Sequence, residues 1–266
     1  MNRIEEKMQE LTARGEKALI TYVTAGLPNL TRTGELIRAQ EAAGIDVIEL
    51  GIPFSDPIAD GPVIQNASFQ SIQNGTTLRK VFVLMEELRA GGCEVPIVFM
   101  MYYNTILHYG VQAFADKCAA AGVDGLIVPD LPLEEQGELQ EALAGREETI
   151  LLQLVSPVSG ERIPKILEQA RGYVYCVSAM GVTGQGGNFH KNIKNYLESV
   201  RAQSKIPVMM GFGIRTAADI EPLRDSLDGA IVGSYFIQLL EKNDFRPETA
   251  AEYVRGFKAD MEAWGA

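Results

Sequence analysis

Glu49 is the residue on which chemistry can first be built. It sits in Val47-Ile48-Glu49-Leu50-Gly51, where strand alternation puts Val47, Glu49 and Gly51 on one face and Ile48 and Leu50 on the other. With the two aliphatic residues packed under helices, Glu49 points into the mouth of the barrel that such strands form. Loss of water there disfavours the carboxylate and raises its pKa toward the range useful for proton transfer near neutral pH. A Glu paired with Lys or Arg is the plainer alternative, but no strand interior supplies such a cation, and a lone buried charge is costly. The next loop, Pro53-Phe54-Ser55-Asp56-Pro57-Ile58-Ala59-Asp60-Gly61-Pro62, carries two more carboxylates in a segment stiffened by three prolines. Ordinary turn chemistry is a full account of Asp56. Asp60 gains a second reading from its position, since a rigid loop after that strand holds it over the same opening as Glu49.

Further along, glycines cluster where a phosphate could sit. Gly211-Phe212-Gly213-Ile214 ends one apolar run and leads into a helix that Thr216 can cap, with Asp219 completing a capping-box pattern. Gly233-Ser234 opens another helix. Glycine lets the backbone approach a phosphate closely, and Ser234 adds a hydroxyl at a helix N-terminus. A third stretch, Gly181-Val182-Thr183-Gly184-Gln185-Gly186-Gly187, has the composition of a lid.

Missing residue types narrow the reaction. Schiff-base chemistry needs a strand-borne lysine at the substrate end, whereas Lys17 and Lys205 precede strands. The two histidines, His108 and His190, lie in separate polar segments without ligand spacing, so no metal site is expected. No G-x-G-x-x-G fingerprint follows the first strand. Acid-base catalysis by carboxylates remains.

The elements that must position these groups are legible as eight short β-rich runs: Leu19 to Thr24, Asp46 to Ile52, Ile97 to Tyr103, Gly125 to Pro129, Ile150 to Val155, Tyr173 to Ser178, Val208 to Phe212 and Ala230 to Val232. They are almost continuously apolar, as parallel strands covered on both faces are. Amphipathic stretches separate them, such as Leu78, Val81, Phe82, Met85 and Leu88 on one stripe. Ala42-Ala43-Gly44 and Ala120-Ala121-Gly122 close two helices just before strands. The pattern predicts one (β/α)8 TIM barrel over residues 1–266, with extra helices at Arg3 to Ala13, Pro62 to Asn74 and Glu248 to Trp264. In such a barrel the site lies at the C-terminal ends of the strands, where Glu49, Asp60 and the glycine pieces all fall.

Composition sets the outer limits. The chain has 266 residues, 46% of them hydrophobic, and a formal net charge of -11. Its acidic surface, without a Lys/Arg run, disfavours nucleic acid and anionic membranes as partners. Cys93, Cys118 and Cys176 are odd in number and widely spaced, which predicts reduced thiols. The longest apolar run is far too short to span a bilayer, and a cytoplasmic location is expected.

The stretch Ile48 to Pro62 closely resembles the signature of the tryptophan synthase alpha subunit. Gly181-Val182-Thr183-Gly184, Gly211-Phe212-Gly213-Ile214 and Gly233-Ser234 match the family in order, so the resemblance spans nearly the whole chain. It implies a lyase that splits indole-3-glycerol phosphate into indole and glyceraldehyde 3-phosphate, with Glu49 shuttling protons and Asp60 accepting the indole N–H. It further implies that Tyr175 lines the site and that Gly184, Gly213, Gly233 and Ser234 hold the phosphate. By the same resemblance Thr183 belongs to the lid, and Tyr22, Met100, Tyr102, Ile127 and Phe212 form an apolar slot for the indole ring. Met100 and Ile127 are equally explained as barrel filling. Departures from the pattern are Tyr22 in place of Phe, Pro129 in place of a small residue, and the uncharged lid sequence after Gly184. The implied partner is a beta subunit carrying pyridoxal phosphate, in an alpha2beta2 complex, with Asp56, Asn104, Asp130 and Pro132 on the contact face; this chain itself would need no cofactor. Competing readings are a phosphosugar isomerase on the same fold, disfavoured because Leu19 to Thr24 contains no carboxylate, and a catalytically idle allosteric partner, disfavoured because the carboxylates and glycines are all present.

Overall fold

The computed structural model describes residues 1–177, 188–211 and 213–265. The predicted lid, with Thr183 and Gly184, and Phe212 lie outside the described residues. Nine strands form one parallel sheet: β1 (Ala18–Thr24), β2 (Val47–Gly51), β3 (Ile97–Met100), β4 (Gly125–Ile127), β5 (Ile150–Leu151), β6 (Gln153–Val155), β7 (Val174–Val177), β8 (Val208–Gly211) and β9 (Gly229–Val232). Their order is β5-β4-β3-β2-β1-β9-β8-β7-β6. The two ends of this order, β5 and β6, are pieces of the single run predicted at Ile150 to Val155, parted only at Leu152. The Leu152 N–H still bonds to Leu126 O at 2.9 Å. The sheet therefore curls round on itself into the barrel, with helices in the connections.

Alternation sorts the side chains as the sequence requires. Ile48 and Leu50 join the large apolar layer beneath the helices, whereas Val47, Val98, Met209 and Ile231 fill the barrel interior. The helix Leu78–Ala90 buries Val81, Phe82, Leu84, Met85 and Leu88. Gly122 ends its helix at φ 71, a left-handed conformation that costs glycine nothing.

The helix Arg3–Arg14 does more than precede the barrel. Ile4, Met8 and Leu11 are packed into the interior cluster with Ile20, Val47 and Tyr173, sealing the N-terminal end. Burial of three such side chains contributes several kcal/mol, at roughly 1.5–3 kcal/mol each. Asn2 caps the helix and donates from Nδ2 to the carbonyls of Asp124 and Glu148. At the same end Asp46, Asp124 and Asp228, each just before a strand, accept the N–H of Leu19, Ile97 and Val208 from the neighbouring strand. Lys258, Arg89 and Arg201 pair with these three carboxylates in turn. Each junction thus ties two strands and a cation.

One local expectation is corrected. Thr216 and Asp219 do form a capping box, but around a 3-10 turn, Ala217–Asp219, followed by a second one, Glu221–Leu223, and not an α-helix. Pro222 explains this, since it has no N–H to bond back along a helix and clashes with the preceding turn.

Candidate active site

Pairing register sets the level of each inward residue. Tyr22 pairs with Glu49, and Glu49 with Val98; one level nearer the C-terminal ends, Thr24 pairs with Gly51, Gly51 with Met100 and Met100 with Ile127. Above this level opens a cavity of about 550 Å³. Asp60 and Gly61 line it from the loop after β2, Gly213 from the loop after β8 and Gly233 and Ser234 from the end of β9, together with Met100, Leu154, Tyr175 and Ile231. A larger cleft of about 670 Å³ lies at the opposite end of the barrel. It is lined by side chains already committed to one another, such as Arg171 with Glu5 and Arg201 with Asp228, and by position belongs to the stabilising face.

Glu49 is buried, 1% exposed, and is not on the cavity wall; it lies one register level below. Its Oε1 accepts a hydrogen bond from the Tyr173 hydroxyl at 3.2 Å. Loss of solvent pushes its pKa from 4.5 up to about 8, and the Tyr173 bond opposes this without reversing it. At neutral pH the side chain is therefore mostly the acid.

Asp60 is only partly buried, and it is fixed by its loop. Tyr102 donates its hydroxyl to Asp60 Oδ2 at 2.8 Å and accepts the Ala59 N–H at 2.9 Å. The Tyr102 ring stacks on Phe54, with centroids 5.0 Å apart, and Ser68 Oγ accepts the Phe54 N–H and donates to Phe54 O. Asp60 N–H bonds to Pro57 O, and Gln65 donates to Asp60 O. Desolvation raises the Asp60 pKa, and the Tyr102 bond works against it.

The residues expected around the ring are distributed unevenly. Met100 and Tyr175 line the cavity. Tyr102 is occupied with Asp60, as above. Ile127 is fully buried in the barrel interior, and Tyr22 belongs to a small apolar cluster with Leu27, Ala67 and Ile237. Tyr22 and Tyr175 reach the mouth across glycines. A Cβ on Gly51 would lie 1.9 Å from the Tyr22 hydroxyl oxygen, and one on Gly211 would lie 2.3 Å from that of Tyr175. Asp56, Asn104, Asp130 and Pro132 are all exposed. Asp130 accepts the N–H of Tyr103, so it also caps the chain turn after β3.

Sequence reasoning gave no role to Tyr173, Leu154, Ile231 or Arg215, all of which contact Glu49 or line the cavity. For Leu154 and Ile231 the signal existed, since both stand near the C-terminal ends of predicted strands. Ser234 starts the helix Ser234–Lys242, as the sequence reading expects. No group of three His, Cys, Asp or Glu side chains among the described residues is arranged to hold a metal ion.

Tryptophan synthase alpha chain sequences match this chain over residues 8–264. The chain belongs to the tryptophan synthase alpha chain family. The alpha chain of Lachnospira eligens is 61% identical over 264 residues, which is 99% of this chain and 100% of that relative. A crystal structure of the alpha subunit from Legionella pneumophila superposes with a TM-score of 0.90 at 32% identity, covering 99% of both chains. Tryptophan synthase from M. tuberculosis, in an aminoacrylate-bound form, gives a TM-score of 0.84 at 31% identity over 97% of this chain and 99% of that one. Membership makes the protein a lyase of tryptophan biosynthesis with a phosphorylated substrate and a beta subunit as partner. It sets aside the phosphosugar isomerase. Among the described residues no helix is long and apolar enough to cross a membrane.

Proposed function

We propose that Glu49 and Asp60 carry out the alpha reaction, cleavage of indole-3-glycerol phosphate to indole and glyceraldehyde 3-phosphate, by proton transfer alone. The observation that carries this reading is the pairing of a buried, mostly protonated Glu49 beneath the cavity with a loop-held Asp60 on its wall. Glu49 leaves Tyr173 and delivers its proton to C3 of the indole, which turns the ring into an electron sink. Asp60 accepts the ring N–H and stabilises the positive charge that develops there. Glu49, now a carboxylate, takes the proton of the side-chain hydroxyl next to C3. The new carbonyl forms, the carbon-carbon bond breaks, and its electron pair restores the aromatic ring. Glu49 ends the cycle protonated.

Met100, Leu154, Tyr175 and Ile231 give the ring an apolar bed, and Gly213, Gly233 and Ser234 receive the phosphate at the start of the helix Ser234–Lys242. Thr183, Gly184 and Phe212 complete the site in this reading, while Tyr22 and Ile127 support its floor from below. The beta subunit holds the pyridoxal phosphate and meets this chain on the face that carries Asp56, Asn104, Asp130 and Pro132, within a cytoplasmic alpha2beta2 complex.

The test is indole release from indole-3-glycerol phosphate by the purified chain, alone and with a cognate beta subunit. Slow release that rises steeply with the partner is expected. A folded chain that releases no indole under either condition removes the reading.

A further inference from the structure

We propose that Arg215 binds the phosphate of the substrate through its guanidinium group, and so makes the site selective for phosphorylated over unphosphorylated ligands. The inference rests on the reading of this cavity as the indole-3-glycerol phosphate site and adds a residue to it. Among the described residues that line the cavity, Asp60 is the one acidic residue and Arg215 the one basic residue; Asp60 follows β2, and Arg215 follows β8, three strands round the sheet, next to Gly213. The acidic and the basic residue of the cavity therefore come from separate parts of the barrel rim, and the substrate likewise carries two separate charges, a cationic ring that develops during reaction and a phosphate dianion.

Arg215 is held in place by its backbone, while its side chain makes no hydrogen bond or ion pair among the described residues. Its N–H donates to Asp219 Oδ2 at 2.8 Å, and its carbonyl accepts the Tyr253 hydroxyl at 2.7 Å. Asp219 is occupied by the N–H groups of Arg215 and Thr216, and the Arg215 guanidinium takes part in none of the ion pairs found among the described residues. Tyr253 sets more than this carbonyl. Its ring packs at 5.1 Å from Phe236 and 6.1 Å from Tyr235, both on the helix that Ser234 begins. One tyrosine thus fixes the turn bearing Arg215 and the helix bearing Ser234 relative to each other.

Charge gives this arrangement its purpose. A chain of net charge -11 repels a dianionic substrate at long range. Backbone N–H groups and one hydroxyl supply partial charges only, whereas a guanidinium supplies a full one in a planar fork that matches phosphate oxygens.

The experiment compares the wild-type chain with Arg215→Gln and Arg215→Lys. Binding of glycerol 3-phosphate is followed by calorimetry, and cleavage is followed on indole-3-glycerol phosphate and on indole-3-glycerol, which lacks the phosphate. For Arg215→Gln the expected result is about tenfold weaker binding of glycerol 3-phosphate and a KM raised about tenfold, the scale of one hydrogen-bonded charge pair. The loss should fall on kcat by less than about twofold, should shrink at high salt, and should be partly recovered by Arg215→Lys, which restores the charge but not the fork. On indole-3-glycerol the variant and the wild type should differ far less than on the phosphorylated substrate. Equal losses on both substrates would show that Arg215 acts through structure, and unchanged glycerol 3-phosphate binding would remove it from the site; either outcome overturns the inference. If the wild-type chain cleaves nothing, the calorimetry still reads the role of Arg215, and it is the lyase reading that fails.

Discussion

The Tyr173 hydroxyl donates to Glu49 Oε1 across 3.2 Å inside the barrel, and among the described residues no charged side chain shifts the pKa of that carboxyl group. Burial alone raises its pKa, to about 8, and the tyrosine only moderates the effect. The first proton transfer needs the acid form, so cleavage should fall as pH rises through this value. Tyr173→Phe removes the one interaction that favours the carboxylate and should move the alkaline limb of the pH profile upward. A limb that stays in place would mean that another group governs it.

Glu49→Gln should reduce cleavage by about a thousandfold or more while leaving substrate binding, since no neutral amide can donate and then retrieve a proton. The same substitution carries a stability signature. The folded pKa of Glu49, about 8, lies above the ordinary 4.5, so its favourable contribution is complete below 4.5 and is lost as pH rises through 8. Ionising it in place costs on the order of 4–5 kcal/mol. The variant should thus gain in melting temperature relative to wild type between pH 5 and pH 9. Parallel melting curves across that range would contradict the burial argument.

Asp60→Asn is expected to cost about a hundredfold in kcat, less than the loss at Glu49. The amide oxygen can still accept the ring N–H, and Tyr102 can still hold it, but nothing balances the developing charge. Steady-state kinetics with unchanged kcat would take Asp60 out of the mechanism.

Gly51→Ala should destabilise the fold by about 1–3 kcal/mol, because its methyl group meets the Tyr22 hydroxyl oxygen at 1.9 Å. The double variant Gly51→Ala with Tyr22→Leu shortens the opposing side chain and should recover part of the loss. Denaturant unfolding of the single and double variants decides it, and an additive loss would show that the clash is not the cause.

Local chemistry was readable without the structure, and pairings across the chain were not. The inward face of Glu49 follows from two-residue alternation next to Ile48 and Leu50, and the helix start at Ser234 from Gly-Ser after an apolar run. The partners that fix the carboxylates lie 124 residues away for Tyr173 and 42 for Tyr102, distances over which periodicity carries no information. The resemblance alone places Tyr102 beside the indole ring; the bond of its hydroxyl to Asp60 is what the sequence does not show. The Ala-Ala-Gly repeats before Asp46 and Asp124 mark helix ends by their glycines, but nothing local marks the two aspartates as ties to neighbouring strands. Pro222 was present to be read and rules out the helix expected after Thr216.

The seal at the N-terminal end of the barrel bears on how the chain reaches its native state. Asn2 is held by carbonyls 122 and 146 residues further on, and Glu5 by Arg171, 166 residues away. Contacts of such sequence separation are the slowest to form. During synthesis the helix Arg3–Arg14 lacks part of the surface it docks on until Arg171 and Tyr173 have followed it, so its apolar stripe of Ile4, Met8 and Leu11 stays incompletely covered until then.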